Sequence, residues 1–465
     1  MNKEDLQHAE GFRDRISTVT EKGERKWVFA LKPSGRYTNY RNILNIFYLV
    51  IFFAMPFIKI NGEPLFMLNF ADAKFVLFGK IFWPQDFFIF AVATITSIIF
   101  IALFTVIYGR LFCGWVCPQT VFMEFVFRRI EWWIEGSPNQ QRSLNDGPWT
   151  GQKLFKKVLK HSIFFIISFL IANTFLSYIV GVDGLFRIIA EPLSEHIALF
   201  SGLIIFTLLF YGVFAFVREI VCTTICPYGR LQGVLFDKDT MQIAYDYLRG
   251  EPRGKLTKGQ ERTTGDCIDC KKCVYVCPTG IDIRHGVQME CVGCTACIDA
   301  CDEVMDKVGF QRGLIRYASE NEISGKSKFH FNNRMKAYTA LLVVLLGFIG
   351  YRIAMIRSID MYVRRVPGQL YQEVGQDSIS NLFTAKIINK NRLEEHVELR
   401  MIDPPGTIKM IGQHKLKPEA INEVEFFMTI ARQDIPKRSI NVKLGVFKEQ
   451  DNLQTVKFKF LGPFK

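Results

Sequence analysis

Twelve cysteines occur in the 465-residue chain, all between Cys113 and Cys301. Eight of them form two blocks of one spacing: Cys267-x2-Cys270-x2-Cys273-x3-Cys277-Pro278 and Cys291-x2-Cys294-x2-Cys297-x3-Cys301. That is the run of bacterial two-cluster ferredoxins, in which the fourth cysteine of each block ligates the other cluster. Three thiolates on a tight loop hold three irons, and the pseudo-symmetric block supplies the fourth ligand. The spacing assigns Cys267, Cys270, Cys273 and Cys301 to one [4Fe-4S] cluster, and Cys291, Cys294, Cys297 and Cys277 to the other. Zinc is the rival, since paired CxxC motifs also build four-thiolate sites. Zinc ribbons, however, lack a third cysteine at the same step and a fourth three residues on. The second block ends in Asp302 rather than proline, which leaves its ligands unchanged. Lys271, Lys272 and Arg284 could tune a potential or dock a donor, although most such charges are solvated faces.

The other four cysteines repeat a second pattern, Gly109-Arg110-Leu111-Phe112-Cys113-x3-Cys117-Pro118 and Arg218-Glu219-Ile220-Val221-Cys222-x3-Cys226-Pro227. If helical, cysteines four apart share a face with Cβ atoms ~5–6 Å apart. A relaxed disulfide wants about 3.5–4.5 Å, so a shared soft metal fits better than a bridge. Each proline also suggests a new helix with Cys117 or Cys226 at its start, where the helix field lowers a thiol pKa. Four thiols from two repeated segments would then converge at one membrane face. The plain alternative is that they pack as small apolar residues.

Membrane-length apolar segments position these motifs. Charge-free runs at 42–58, 87–109, 162–182 and 197–217 meet the roughly 17–25 residues a span requires, and a fifth at 337–356 is interrupted by Arg352. Residues 1–41 are polar and basic, with no apolar core of a cleavable signal peptide. Short-loop lysines and arginines concentrate in 110–160 and are sparse in 59–86 and 183–196. The N-terminus and every cysteine are therefore expected on the cytoplasmic side of a bacterial inner membrane, where thiols stay reduced, and the segment after the fifth span outside it. Residues 66–83 read as an interfacial hairpin. After Pro118, apolar residues alternate with Glu124, Arg128, Arg129 and Glu131, as in an amphipathic helix lying in the headgroup plane.

From 358 to 465 the pattern changes to short alternating runs at 381–389, 395–401, 407–411, 423–430, 440–447 and 453–460. Turns such as Asp403-Pro404-Pro405-Gly406 separate them, and about seven strands in ~100 residues read as an immunoglobulin-like β-sandwich. The expected fold is thus a multi-domain membrane protein. It comprises a segment 1–41, a four-span domain 42–235, a two-cluster ferredoxin-like α+β domain 236–335, a fifth helix 337–356 and the sandwich 358–465. His161 and His196 border spans at opposite faces and cannot hold one haem together; His285 between the cluster blocks reads as structural. Walker, Rossmann and Ser-His-Asp signatures are not evident.

The averages agree. With 49% hydrophobic residues and 43 Phe the chain is neither disordered nor collagenous. The net charge of +13 is spread over the segments, so it is no nucleic-acid footprint.

With these motifs together, the sequence closely resembles the CcoG family, also called FixG or RdxA, accessory proteins of cbb-class cytochrome c oxidases. The resemblance runs through Phe82-Trp83-Pro84-Gln85-Asp86-Phe87, the stretch from Gly109 to Gly136, Cys226-Pro227-Tyr228-Gly229-Arg230, the ferredoxin blocks and the β-rich tail. Membrane subunits of the NapH and NosR type are similar in the CxxxCP and ferredoxin parts but do not account for the tail. The resemblance implies electron delivery to copper, reducing Cu(II) to Cu(I) for the oxidase, with oxidase subunits or assembly factors as partners and an unidentified electron donor. Cys113, Cys117, Cys222 and Cys226 would be its copper-facing end. A quinone-linked respiratory subunit and a non-redox assembly scaffold are the alternatives.

Overall fold

The structure, a computed structural model, describes residues 25–463 apart from 61–62, 70–73, 78–79, 83–86, 193, 195, 257–263, 326–331, 356–358, 369, 376, 390–393, 412–414, 419 and 449. Most of the Phe82–Phe87 motif and of the basic N-terminal segment therefore lies outside the described residues. The chain divides into two compact units, residues 1–349 and 350–465.

Five helices of the described residues are long and apolar enough to cross a membrane: Arg36–Phe57, Phe88–Tyr108, Gly151–Val180, Ile197–Val217 and Asn333–Ala354. Two begin well before their charge-free runs. Thr150 caps the third, its hydroxyl accepting from the Lys153 amide at 3.2 Å, while the Lys153 ammonium donates to the Asn145 and Gly147 carbonyls at 2.9 and 2.6 Å. Lys157 and Lys160 reach Glu135 at 2.8 and 2.9 Å. The first is capped from a distance. Asp299 accepts from the Tyr37 and Thr38 amides at 3.0 and 2.7 Å, and from the Thr38 hydroxyl at 2.7 Å. Gly35 precedes this helix at φ 145°, and a Cβ there would fall 2.5 Å from Asp299 Cγ. Glycine is thus what lets the carboxylate reach the helix end.

The segment after Pro118 corrects the headgroup-plane expectation. It folds as Pro118–Thr120, a π-helical Val121–Phe127 and an α-helical Arg128–Ile134. Its apolar side is buried inside the protein, where Phe127 stacks on Phe214 at 4.4 Å and meets Phe164 edge-on at 4.8 Å. Its charges are buried as well. Arg218 grips Glu131 with two bonds of 2.6 and 2.9 Å, both side chains under 5% exposed, and Arg128 joins Glu124 at 3.2 Å. Trp133 stays exposed, but Trp132 donates to the Ala30 carbonyl at 3.2 Å. Buried charge survives only when paired, so the sequence alternation that resembles a surface helix here marks an internal ion network. The interfacial hairpin is also richer than expected: Phe66–Asn69, Lys74–Leu77 and Lys80–Phe82 form a three-stranded antiparallel sheet.

A small α+β layer completes this unit. Strands Gln242–Tyr245 and Ile315–Ala318 pair antiparallel, and the helices Lys272–Tyr275 and Ala296–Val308 pack with them around a core that includes Ile243, Ile283, Ile298 and Ile315.

The second unit is a sandwich. Thr407–Ile411, Ala420–Ala431, Ser378–Asn389 and Ile359–Arg365 lie side by side in that order, with Gln372–Val374 also on Ser378–Asn389. Glu398–Asp403, Ser439–Lys448 and Asp451–Leu461 make the opposing sheet. Alternation puts Ile379, Phe383, Ala385 and Ile387 inward against Val442, Leu444, Val446 and Phe460. The expected runs appear as strands within a few residues. Ile359–Arg365 and Gln372–Val374 went unforeseen, because arginines and glutamates mask their alternation.

Removing Arg218 would take from buried Glu131 its two short bonds and leave it Lys160 at 3.8 Å. Arg218→Met should cost about 3–5 kcal/mol, read as a lower thermal unfolding midpoint of the detergent-solubilised protein. Lys307→Ala, at an exposed pair with Glu303, should cost under about 1 kcal/mol in the same assay.

Candidate metal centres

The two CxxxCP segments are built alike. The second span ends at Gly109 and the fourth at Arg218, equivalent positions four residues before the first cysteine, and both have φ 56°. A left-handed residue turns the chain off the span, easily for glycine and at a cost for arginine. The Glu131 grip holds Arg218 in that turn. Cys113 then lies in the short helix Leu111–Trp115 and Cys222 in the π-turn Val221–Ile225. Cys117 and Cys226 do not continue those turns. They are N-caps at φ −58°, ψ 125° and φ −67°, ψ 113°, each followed by its proline at the first helical position. The continuous helix that would put both thiols on one face is therefore absent, while the helix restart at each proline is present.

The four thiols nevertheless converge. Cys117 and Cys226 are near enough to raise the Cys113 pKa, and Cys117, Cys113 and Cys226 to raise that of Cys222. Burial dominates, pushing both thiols up to about 12. Cys113 donates to Gln232 Oε1 at 3.3 Å. Cys117 corrects the expectation of an acidic thiol. Hydrogen bonds from the Thr120 and Gln119 amides at its helix start favour the thiolate, but burial outweighs them and the net shift is upward.

The eight ferredoxin-type cysteines fall into two cavities. One, of about 360 Å³, is lined by Cys267, Cys270, Cys273 and Cys301. The other, of about 330 Å³, is lined by Cys277, Cys291, Cys294 and Cys297, and also by Cys273. Four thiols around one apolar cavity match the donor set of a cubane, which needs soft ligands and a dry shell. Among the described residues no three His, Cys, Asp or Glu side chains are placed to hold a single ion, the four CxxxCP thiols included. Burial raises Cys273, Cys291 and Cys301 to about 12, so metal loading must displace protons.

The second cavity abuts the membrane thiols through two glycines. A Cβ on Gly114 would lie 2.5 Å from Gly293 O and 2.8 Å from Cys294 N, and one on Gly293 would lie 2.7 Å from Arg110 O. The helix bearing Cys113 thus rests backbone to backbone on the Cys291–Cys294 loop. Cys113 and Cys222 pack against the same core as the ferredoxin cysteines. Trp115 donates to Tyr317 Oη at 3.3 Å, Tyr317 to Gly293 O at 3.4 Å, and Arg41 Nη1 to Cys294 O at 2.7 Å. Spacing could not reveal Gly114, Gly293, Arg41 or Gln232, because their importance depends on a contact between distant segments. By contrast, Cys270 is exposed. Arg284 is tied to Asp282 and Asp269 at 2.6 and 2.5 Å, and Lys272 to Glu303 at 2.6 Å. The histidines stay apart. His161 meets Tyr211 Oη at 2.9 Å, His196 pairs with Glu191, and His285 lies 3.9 Å from Asp282.

Comparison with known proteins agrees with this layout. Residues 217–320 match the 4Fe-4S dicluster domain, 90–136 a 4Fe-4S binding domain, and 349–463 the IG-like fold at the C-terminal of FixG. Protein RdxA of Cereibacter sphaeroides is 34% identical over 82% of this chain and 83% of its own. Protein RdxB of the same organism is 33% identical over 79% of this chain and 80% of its own. Nitrogen fixation protein FixG of Rhizobium meliloti is 34% identical over 64% of this chain and 58% of its own. With apolar spans, two thiol-lined cavities and the sandwich in place, the chain is a membrane iron–sulfur electron-transfer protein and belongs to the FixG/RdxA family.

Proposed function

We propose that this protein delivers single electrons to copper, reducing Cu(II) to Cu(I) for the maturation of a cbb-class cytochrome c oxidase. Cys267, Cys270, Cys273 and Cys301 would hold one [4Fe-4S] cluster and Cys277, Cys291, Cys294 and Cys297 the other. Bound there, the clusters supply one-electron carriers of low potential. The observation that supports this reading most is the Gly114–Gly293 contact, which sets the Cys113, Cys117, Cys222 and Cys226 centre against the second thiol cavity. In this reading Cu(II) is the substrate at those four thiols and gains one electron there. Thiolates favour the product, because Cu(I) is the softer ion. Copper must first displace protons from buried thiols whose pKa is near 12 at Cys113 and Cys222. The Lys and Arg bias of the short loops supports a cytoplasmic N-terminus and cluster domain, with the sandwich facing the periplasm, where it could meet oxidase subunits or assembly factors.

Cys277→Ser should cost the cluster whose other thiols are Cys291, Cys294 and Cys297, lowering iron from about eight to about four atoms per chain. Cys301→Ser should do the same to the other cavity. Loss from the block that contains the substituted residue, read by EPR of the remaining cluster, would show that the fourth ligands do not cross over.

Cys113→Ser with Cys117→Ser should leave cluster absorbance intact and abolish Cu(II) reduction by the pre-reduced protein. Retained reduction would remove those thiols from the copper site. The match of residues 90–136 to a 4Fe-4S binding domain favours a second reading, in which the four membrane thiols hold a third cluster. Anaerobic protein carrying about twelve irons rather than about eight would establish it. If copper binds instead, its affinity should rise with pH over the neutral range, up to about tenfold per unit for each proton displaced.

A further inference from the structure

The first span turns its polar residues inward at its start, as membrane helices do. Its buried residues are Thr38, Arg41 and Asn45, while Ile43, Ile46, Phe47 and Val50 point outward. Thr38 is satisfied by Asp299. The other two are not. Arg41, 7% exposed, spends Nη1 on Cys294 O, and its Nε has no partner; Asn45, 4% exposed, has an unpartnered Oδ1. Both line a cavity of about 790 Å³ that also receives Lys32, Arg129, Trp132 and the Cys294 loop. Burying a guanidinium nitrogen and an amide oxygen without partners costs roughly 1–3 kcal/mol each, so such a site calls for a ligand.

The charge of the cavity names its class. Arg41, Arg129 and Lys32 face it, and Glu124, the carboxylate among the described lining residues, is already paired with Arg128. Burial and the facing Arg41 charge together depress the Arg129 pKa, as expected for two cations without an anion between them. The polarity is also ordered along the helix. Cations lie at its beginning, an amide lies about one turn deeper, and apolar residues follow. A phospholipid presents the same order as phosphate, glycerol ester and acyl chain. Turning the Asn45 amide over places its Nδ2 at the orphan position, where it can donate to an ester carbonyl. Basic pockets at the ends of spans are common sites for anionic headgroups.

We propose that this cavity binds the phosphate of an anionic phospholipid, held by Arg41 Nε, Arg129 and Lys32, with its glycerol ester on Asn45. The site stands apart from the copper reading, since none of these groups takes part in electron transfer. Through Arg41 it would connect the bilayer to the backbone of the Cys291–Cys294 loop.

The test uses the full-length, cluster-loaded protein in mixed micelles, with phosphatidylglycerol, phosphatidylcholine or inorganic phosphate as the probe. Thermal unfolding and native mass spectrometry give the readouts. Phosphatidylglycerol should raise the unfolding midpoint and remain bound one per chain, while phosphatidylcholine and phosphate should do neither. Lys32→Gln with Arg129→Gln, both exposed, should weaken phosphatidylglycerol binding at least about tenfold with iron content unchanged. Asn45→Leu, which removes only the deeper contact, should weaken it less. Equal effects of the two lipids, inorganic phosphate acting as well as the lipid, or undiminished binding by the double variant would each overturn the proposal.

Discussion

Everything around the metal centres depends on one steric constraint, the approach of two backbones at Gly114 and Gly293. Either glycine replaced by any other residue would put a Cβ inside the van der Waals radius of main-chain atoms, which cannot swing aside as side chains can. The constraint lets a membrane helix end and an iron–sulfur loop share one packed core rather than meet across a hydrated linker. It also accounts for the grouping of Cys113 and Cys222 with the ferredoxin cysteines in a single apolar cluster. A dry junction of this kind favours soft ligands, raises thiol pKa values and excludes hydroxide and water from competing for metal.

Charged groups enforce the junction from the side. Asp299 belongs to the helix that carries Cys297 and Cys301, yet it caps the first span. Arg218 belongs to the turn before Cys222, yet it is held by Glu131 from another helix. Each buried charge thus ties a cysteine-bearing segment to a partner far away in sequence. Such pairs add little net stability against an apolar substitute, but they punish misalignment, because a displaced partner leaves a charge unpaired. Specific placement of thiols is what an electron-transfer site needs, and these pairs supply it.

The same fact explains what the sequence could and could not disclose. Cysteine spacing suggested two ligand groupings, since a cubane loop imposes a local rhythm, and the same thiols line two cavities, with Cys273 lining both. Charge-free runs located the spans, and alternation located most strands of the sandwich. Errors arose where charges were used internally. Lys153 to Lys160 belong to the third helix because Glu135 and Glu131 neutralise two of them, which a hydropathy reading cannot know. The Val121–Ile134 stretch reads as a surface helix from composition and is a buried one in fact, because the partner of its Glu131 lies at Arg218. The Cys117 thiol shows the same competition at a single atom. A local rule, the helix-start field, is correct in sign and loses to burial, a property of the whole fold.

The paired CxxxCP segments carry this argument one step further. Gly109 and Arg218 adopt the same φ of 56°, although only glycine takes it freely. The second copy makes the turn with an arginine, whose side chain is then available to the ion network that glycine could not join. In the first copy the equivalent turn presses its glycine against Met241 O, 2.9 Å from where a Cβ would stand, and leaves no room for a side chain. Two different residues thus solve one geometric demand under different packing. What the two copies hold in common is a residue at φ 56° where the span ends and the N-cap placement of the second cysteine ahead of its proline.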